Sequence, residues 1–67
     1  MNAQPAADLP RGLSQPALRA LAGVGVTRLE QAAAFTEAEL MALHGFGPKG
    51  LKLLRAALAE RGLSLKP

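Results

Sequence analysis

Two glycine-punctuated turns set the limits on what this chain can fold into. Leu21-Ala22-Gly23-Val24-Gly25, followed by Leu29, is matched 22 residues later by Leu43-His44-Gly45-Phe46-Gly47, followed by Leu51. Both stretches fit Leu-x-Gly-apolar-Gly-x-x-x-Leu. Glycine takes backbone conformations closed to other residues, so each pair marks a sharp reversal between two elements. The pattern predicts a helical hairpin in which the first glycine turns the chain and the central Val24 or Phe46 plugs the core. The second glycine then opens backbone N–H groups where the next helix begins. Amides in that position are donors to a phosphate.

Whatever packs between the turns must be small. The chain has 67 residues and no cysteine, so it makes one thin-cored domain without disulfides or a thiolate metal site. Its one histidine, His44, cannot build a metal site alone and reads as a turn residue. Alanine and leucine together supply 27 residues, while the β-branched set is only Val24, Val26, Thr27 and Thr36. That balance points to an all-α fold of four to five short helices. Size argues against an enzyme, and no cofactor is expected. Glu30, Glu37 and Glu39 read as helix-start charges, and Phe35 and Phe46 as core plugs. No unbroken apolar stretch approaches the roughly 20 residues of a spanning helix. The Met1-Asn2-Ala3-Gln4-Pro5 start lacks a secretory pattern, so a cytoplasmic protein without a membrane partner is expected.

Residues 1–12, with Pro5, Pro10 and Gly12, read as a flexible lead-in to a domain over 13–67, with Leu9 and Leu13 able to dock on the core. Ser14 is an N-cap before Pro16, predicting a helix from Gln15 to Ala22 with Leu18, Leu21 and Ala22 on one side. Thr27 and Glu30 have capping-box spacing ahead of a helix over 28–34 that faces Leu29, Ala32 and Ala33 inward. Thr36 and Glu39 repeat that spacing for a helix over 37–43 presenting Leu40, Met41 and Leu43, with Phe35 and Leu40 placed as a hydrophobic staple. Pro48 opens the longest helix, to Arg61, with Gly62 as its stop. With Lys49 at 0°, Leu54, Leu58 and Leu51 fall at about 140°, 180° and 200°, a core stripe at helical spacing. Leu53, at about 40°, is off that stripe; packing against the lead-in, packing against Leu63-Ser64-Leu65, and exposure all remain open. The segment after Gly62 is expected to fold back to cover Leu63 and Leu65.

The net charge of +3 is unevenly spread. Arg28 faces three glutamates over 27–43, whereas Lys49, Lys52, Arg55, Arg61 and Lys66 face only Glu60 over 44–67. An acidic middle beside a basic end orients a polyanion. The second turn continues Gly47-Pro48-Lys49-Gly50, placing a lysine where it reaches a phosphate held by the amides and a glycine where a sugar-phosphate backbone can come close. The first turn continues Gly25-Val26-Thr27-Arg28 and is either a degenerate binder or a structural joint.

Gly45-Phe46-Gly47-Pro48-Lys49-Gly50 resembles a helix-hairpin-helix motif. The chain from about Leu18 to Leu65 is similar to the C-terminal domain of the bacterial RNA polymerase alpha subunit and its small standalone relatives. The similarity is carried by Thr36-Glu37-Ala38-Glu39-Leu40, the second turn, and Leu58-Ala59-Glu60-Arg61-Gly62-Leu63-Ser64-Leu65. It implies a SAM-like bundle with helix-hairpin-helix geometry, DNA binding along the minor groove and its phosphates, and contacts with transcription activators. Gly47 and Lys49 match that domain's contact glycine and lysine, and Gly50 stands where it has a phosphate-contacting serine. Pro16 falls at its minor-groove arginine and Arg19 at a DNA-contacting asparagine, so promoter-element recognition does not carry over.

The resulting expectation is a non-enzymatic module gripping duplex DNA through Gly45, Gly47, Lys49 and Gly50. Lys52, Arg55 and Arg19 extend the field, without base-specific readout. Turn carbonyls of such hairpins can also trap a monovalent cation, which this sequence does not establish. The alternative is a protein-interaction module of the same fold with a partner in transcription or DNA metabolism. The acidic middle, the unplaced Leu53 and Pro16 favour that alternative.

Overall fold

The hydroxyl caps read from the sequence begin two of the helices. In a computed structural model, which describes residues 9–67, these are α1 (Gln15–Gly23), α2 (Leu29–Ala32), α3 (Glu37–Met41) and α4 (Pro48–Glu60). The described fold is all-α; its only strand-like pairing is one isolated parallel bridge between Thr36 and Lys66. Ser14 caps α1, its Oγ accepting from the Ala17 N–H at 3.2 Å. Thr36 and Glu39 cap α3 reciprocally: the Glu39 N–H donates to Thr36 Oγ1 at 3.0 Å and the Thr36 N–H to Glu39 Oε1 at 2.9 Å. Of the pair flanking that cap, Leu40 is enclosed in the core cluster and Phe35, half-buried, packs against it.

The cap expected at Thr27 and Glu30 is displaced by one residue. Arg28 is the N-cap of α2, and Gln31 reaches back to it. Gln31 Oε1 accepts from the Thr27 and Arg28 N–H groups, both at 2.8 Å, and from Thr27 Oγ1 at 3.2 Å. Glu30 instead pairs with the Arg28 guanidinium on the exposed surface. Both α2 and α3 are shorter than expected because their last residues leave the helix in single turns, with the Phe35 N–H on Ala32 O and the Leu43 N–H on Leu40 O.

The two glycine turns share a sequence pattern but not a conformation. In the first, Gly23 stays helical and Gly25 takes the left-handed φ of +84°. The Val26 N–H then bonds Leu21 O at 2.8 Å and the Gly25 N–H bonds Ala22 O at 3.0 Å, the double closure of a Schellman motif. In the second, Gly45 is left-handed at +90° and the Phe46 N–H bonds Leu43 O at 3.2 Å, a β-turn with glycine at its third position. In each case the residue after the left-handed glycine goes inward. Phe46 is buried as expected, but Val26 is the plug of the first turn and Val24 is 38% exposed.

Helices this short bury one or two residues per turn. Leu21, Leu29, Leu40, Leu54 and Leu58 are enclosed together with Val26, Phe46, Ala17 and Ala32. Leu43 and Leu51, expected among them, sit half-buried at the rim. On α1 the inward pair is Ala17 and Leu21, one turn apart; Leu18 is half-buried and Ala22 exposed. Met41, expected on the inward face of α3, is exposed.

The chain around α4 closes the core. Gly62 ends α4 in a second Schellman closure, with the Leu63 N–H on Leu58 O at 2.8 Å. The tail then folds back as expected, its Lys66 N–H donating to Phe35 O at 2.9 Å and Leu65 covering the core edge, although Leu63 stays exposed. Leu53 packs toward the lead-in: its Cδ1 lies 3.3 Å from where a side chain at Gly12 would start. Leu9 also packs on the core. The described part of the lead-in, 9–12, thus belongs to the packed unit, and its remainder lies outside the described residues.

Truncation at the centre and at the edge separates these roles. Leu54→Ala, at a fully enclosed site, is expected to cost about 2–5 kcal/mol. Leu63→Ala should change stability by about 0.5 kcal/mol or less. Urea unfolding followed by circular dichroism measures both.

Candidate nucleic-acid interface

The second turn does not stand alone: it is pressed against the start of α1. A side chain at Gly45 would meet Pro16 Cβ and Pro16 O, both at 3.1 Å, so the backbone reversal and the first turn of α1 are in direct contact. Between them opens a cleft of ≈ 270 Å³ whose walls are Gly12 to Ser14 and Ala17 on one side and Gly45, Gly47, Pro48, Lys49 and Gly50 on the other. The starts of α1 and α4 therefore converge on one hollow. Each helix start carries a partial positive charge from its unpaired N–H groups.

The donors in this hollow are unclaimed. Phe46 uses its N–H within the turn, and the Leu51 N–H bonds Gly47 O at 3.0 Å. The N–H groups of Gly45, Gly47, Lys49 and Gly50 have no protein acceptor among the described residues. The reason lies in the sequence. Gly47 is the N-cap of α4 and has no side chain to accept from the first-turn amides. Gly50, three residues on, has none to reach back. Both halves of a capping box are missing.

The expected site residues are placed in four different ways. Gly45, Gly47 and Lys49 meet at the cleft. Lys49 and Lys52 lie one helical turn apart, exposed and without an ion-pair partner among the described residues. Arg19 is likewise exposed, three residues beyond Pro16 and so on the neighbouring flank of α1. Arg55 differs: its Nη1 lies 3.0 Å from Glu37 Oε2, which places its charge against the start of α3. That pair is open to water and worth little energetically, but it offsets the cation locally.

Gly50, which lines the cleft, also shapes the core. It is buried, in line with Leu54 and Leu58 on the inward row of α4. An added Cβ would stand 3.0 Å from Phe46 Cε1 and 3.4 Å from Leu13 Cδ2. Its missing side chain is the notch that seats Phe46. The four-residue spacing of 50, 54 and 58 carried that signal. Conversely, Ser14 and Leu13 line the cleft although sequence reading assigned them only to capping and packing; nothing local in the sequence reports that α1 and α4 begin side by side.

Among the described residues, no group of three or more His, Cys, Asp or Glu could hold a metal ion, and no helix is long and apolar enough to cross a membrane. No protein-family model, curated protein or solved structure matches the chain.

Two glycine substitutions test this geometry in opposite directions. Gly45→Ala forces a side chain into a left-handed backbone and against Pro16; a loss of about 1–2 kcal/mol or more is expected. Gly23→Ala lies in a helix with nothing within 4 Å and should gain about 0.5–1 kcal/mol. Thermal and urea melts of the two variants provide the comparison.

Proposed function

We propose that the chain is a non-enzymatic DNA-binding module of helix-hairpin-helix type that grips the phosphate backbone of a duplex at the cleft between the starts of α1 and α4. The observation that carries this reading is the set of unclaimed amides at Gly45, Gly47 and Lys49, with the unpaired Lys49 ammonium on the same turn. A phosphate oxygen accepts from such amides, and the lysine adds attraction as a point charge. Lys52 and Arg19 extend the field on either side, and Arg55 contributes less because Glu37 faces it. Contacts of this kind fix position without reading bases. With few phosphates neutralised, binding is weak and falls steeply with salt. A setting in transcription belongs to the same proposal and rests on the family resemblance. The packing of Leu53 against the lead-in removes one of the features that favoured a protein-interaction module.

Titration of labelled protein with duplex DNA tests the reading. Amide shifts clustered at residues 45–52 that shrink as salt rises are expected; no response at low salt with excess duplex sinks it. Lys49→Ala should lower the slope of log affinity against log salt by about 1, and an unchanged slope removes that residue from the site.

A further inference from the structure

The first glycine turn looks in sequence like a second phosphate grip. Resting on the DNA reading above, we infer that Gln31 and Glu30 close it, so that the chain holds the duplex through the second turn alone. Every amide from Val24 to Arg28 is already used. Val24 and Val26 donate to Leu21 O at 3.1 and 2.8 Å, and Gly25 to Ala22 O at 3.0 Å. Thr27 and Arg28 both donate to Gln31 Oε1 at 2.8 Å. That carboxamide oxygen sits on two convergent N–H groups, the position a phosphate oxygen would need. The cation at this turn, Arg28, is engaged by Glu30. α2 thus supplies its own acceptors for both kinds of donor.

The second turn differs at the two positions that decide capping. Its N-cap is Gly47 and its reach-back position is Gly50, where α2 has Arg28 and Gln31. Residues without side chains leave the Gly47, Lys49 and Gly50 amides open; a carboxamide three residues beyond the cap of α2 takes those of Thr27 and Arg28, just ahead of that helix. The selector between the two turns is side-chain capping, not the glycine pattern they share.

Three variants of the full chain, each titrated with a duplex oligonucleotide and followed by amide NMR, test this. In the unmodified protein Gly47 and Lys49 should shift while Thr27 and Arg28 stay still. In Glu30→Gln/Gln31→Ala the Thr27 and Arg28 amides should begin to respond to duplex. Gln31→Glu, which keeps an acceptor oxygen in place, should leave them silent and checks that α2 still folds. Gly47→Ser has open space and an extended backbone, with φ −135° and ψ −173°. It should fold at least as stably and bind duplex several-fold more weakly, because its hydroxyl now takes an α4 amide. First-turn amides that shift in the unmodified protein alongside the second turn overturn the inference while leaving the DNA reading intact. So does a double variant whose first turn stays silent, or a Gly47→Ser protein that binds undiminished. If neither turn of the unmodified protein responds, the DNA reading itself fails and the inference falls with it.

Discussion

Helices of four and five residues have too few internal hydrogen bonds to persist alone, so α2 and α3 exist only while their caps and turns hold them against α4. The seat of Phe46 is the point on which that arrangement rests. Its ring fills the notch left by the missing side chain of Gly50, against Leu13, while the preceding Gly45 lies on the backbone of Pro16. One residue therefore ties the end of α3, the start of α4 and the start of α1. A side chain at either glycine would wedge two of those elements apart.

The same seat makes the candidate interface. Bringing the Ser14-capped start of α1 beside the start of α4 lines one cleft with two helix N-termini, and the glycines at 47 and 50 leave the α4 amides there without acceptors among the described residues. Stability and donor availability oppose each other at this place. A hydroxyl or carboxamide would satisfy the amides, as Ser14, Thr36 and Gln31 do for the other helices. The second turn forgoes that cap, and its donors stay unmet among the described residues.

The first turn shows how far a shared motif can mislead. Gly23-Val24-Gly25 and Gly45-Phe46-Gly47 align by residue type, yet the left-handed residue is the second glycine in one and the first in the other. The difference follows from what precedes each pair. α1 is long enough to run through Gly23 and end in a Schellman closure, whereas α3 has stopped at Met41 and a separate β-turn carries the chain onward. Consequently Val26, not Val24, is buried, and the two turns share only the bond from the central residue back to the leucine, Val24 to Leu21 O and Phe46 to Leu43 O.

The sequence by itself determined the features that depend on near neighbours. These were the all-α class, the hydroxyl caps at Ser14 and Thr36, the proline start and glycine stop of α4, and the core row of Leu54 and Leu58. Each is set by residues within about one helical turn, so spacing alone reveals it. Tertiary structure decided what distance in the chain conceals. It placed Leu53 over Gly12, brought Leu13 to the notch at Gly50, set Arg55 against Glu37, and brought Ser14 to the same cleft as Lys49. It also separated the two glycine turns, because a backbone amide is open or closed according to which acceptor the folded chain brings to it.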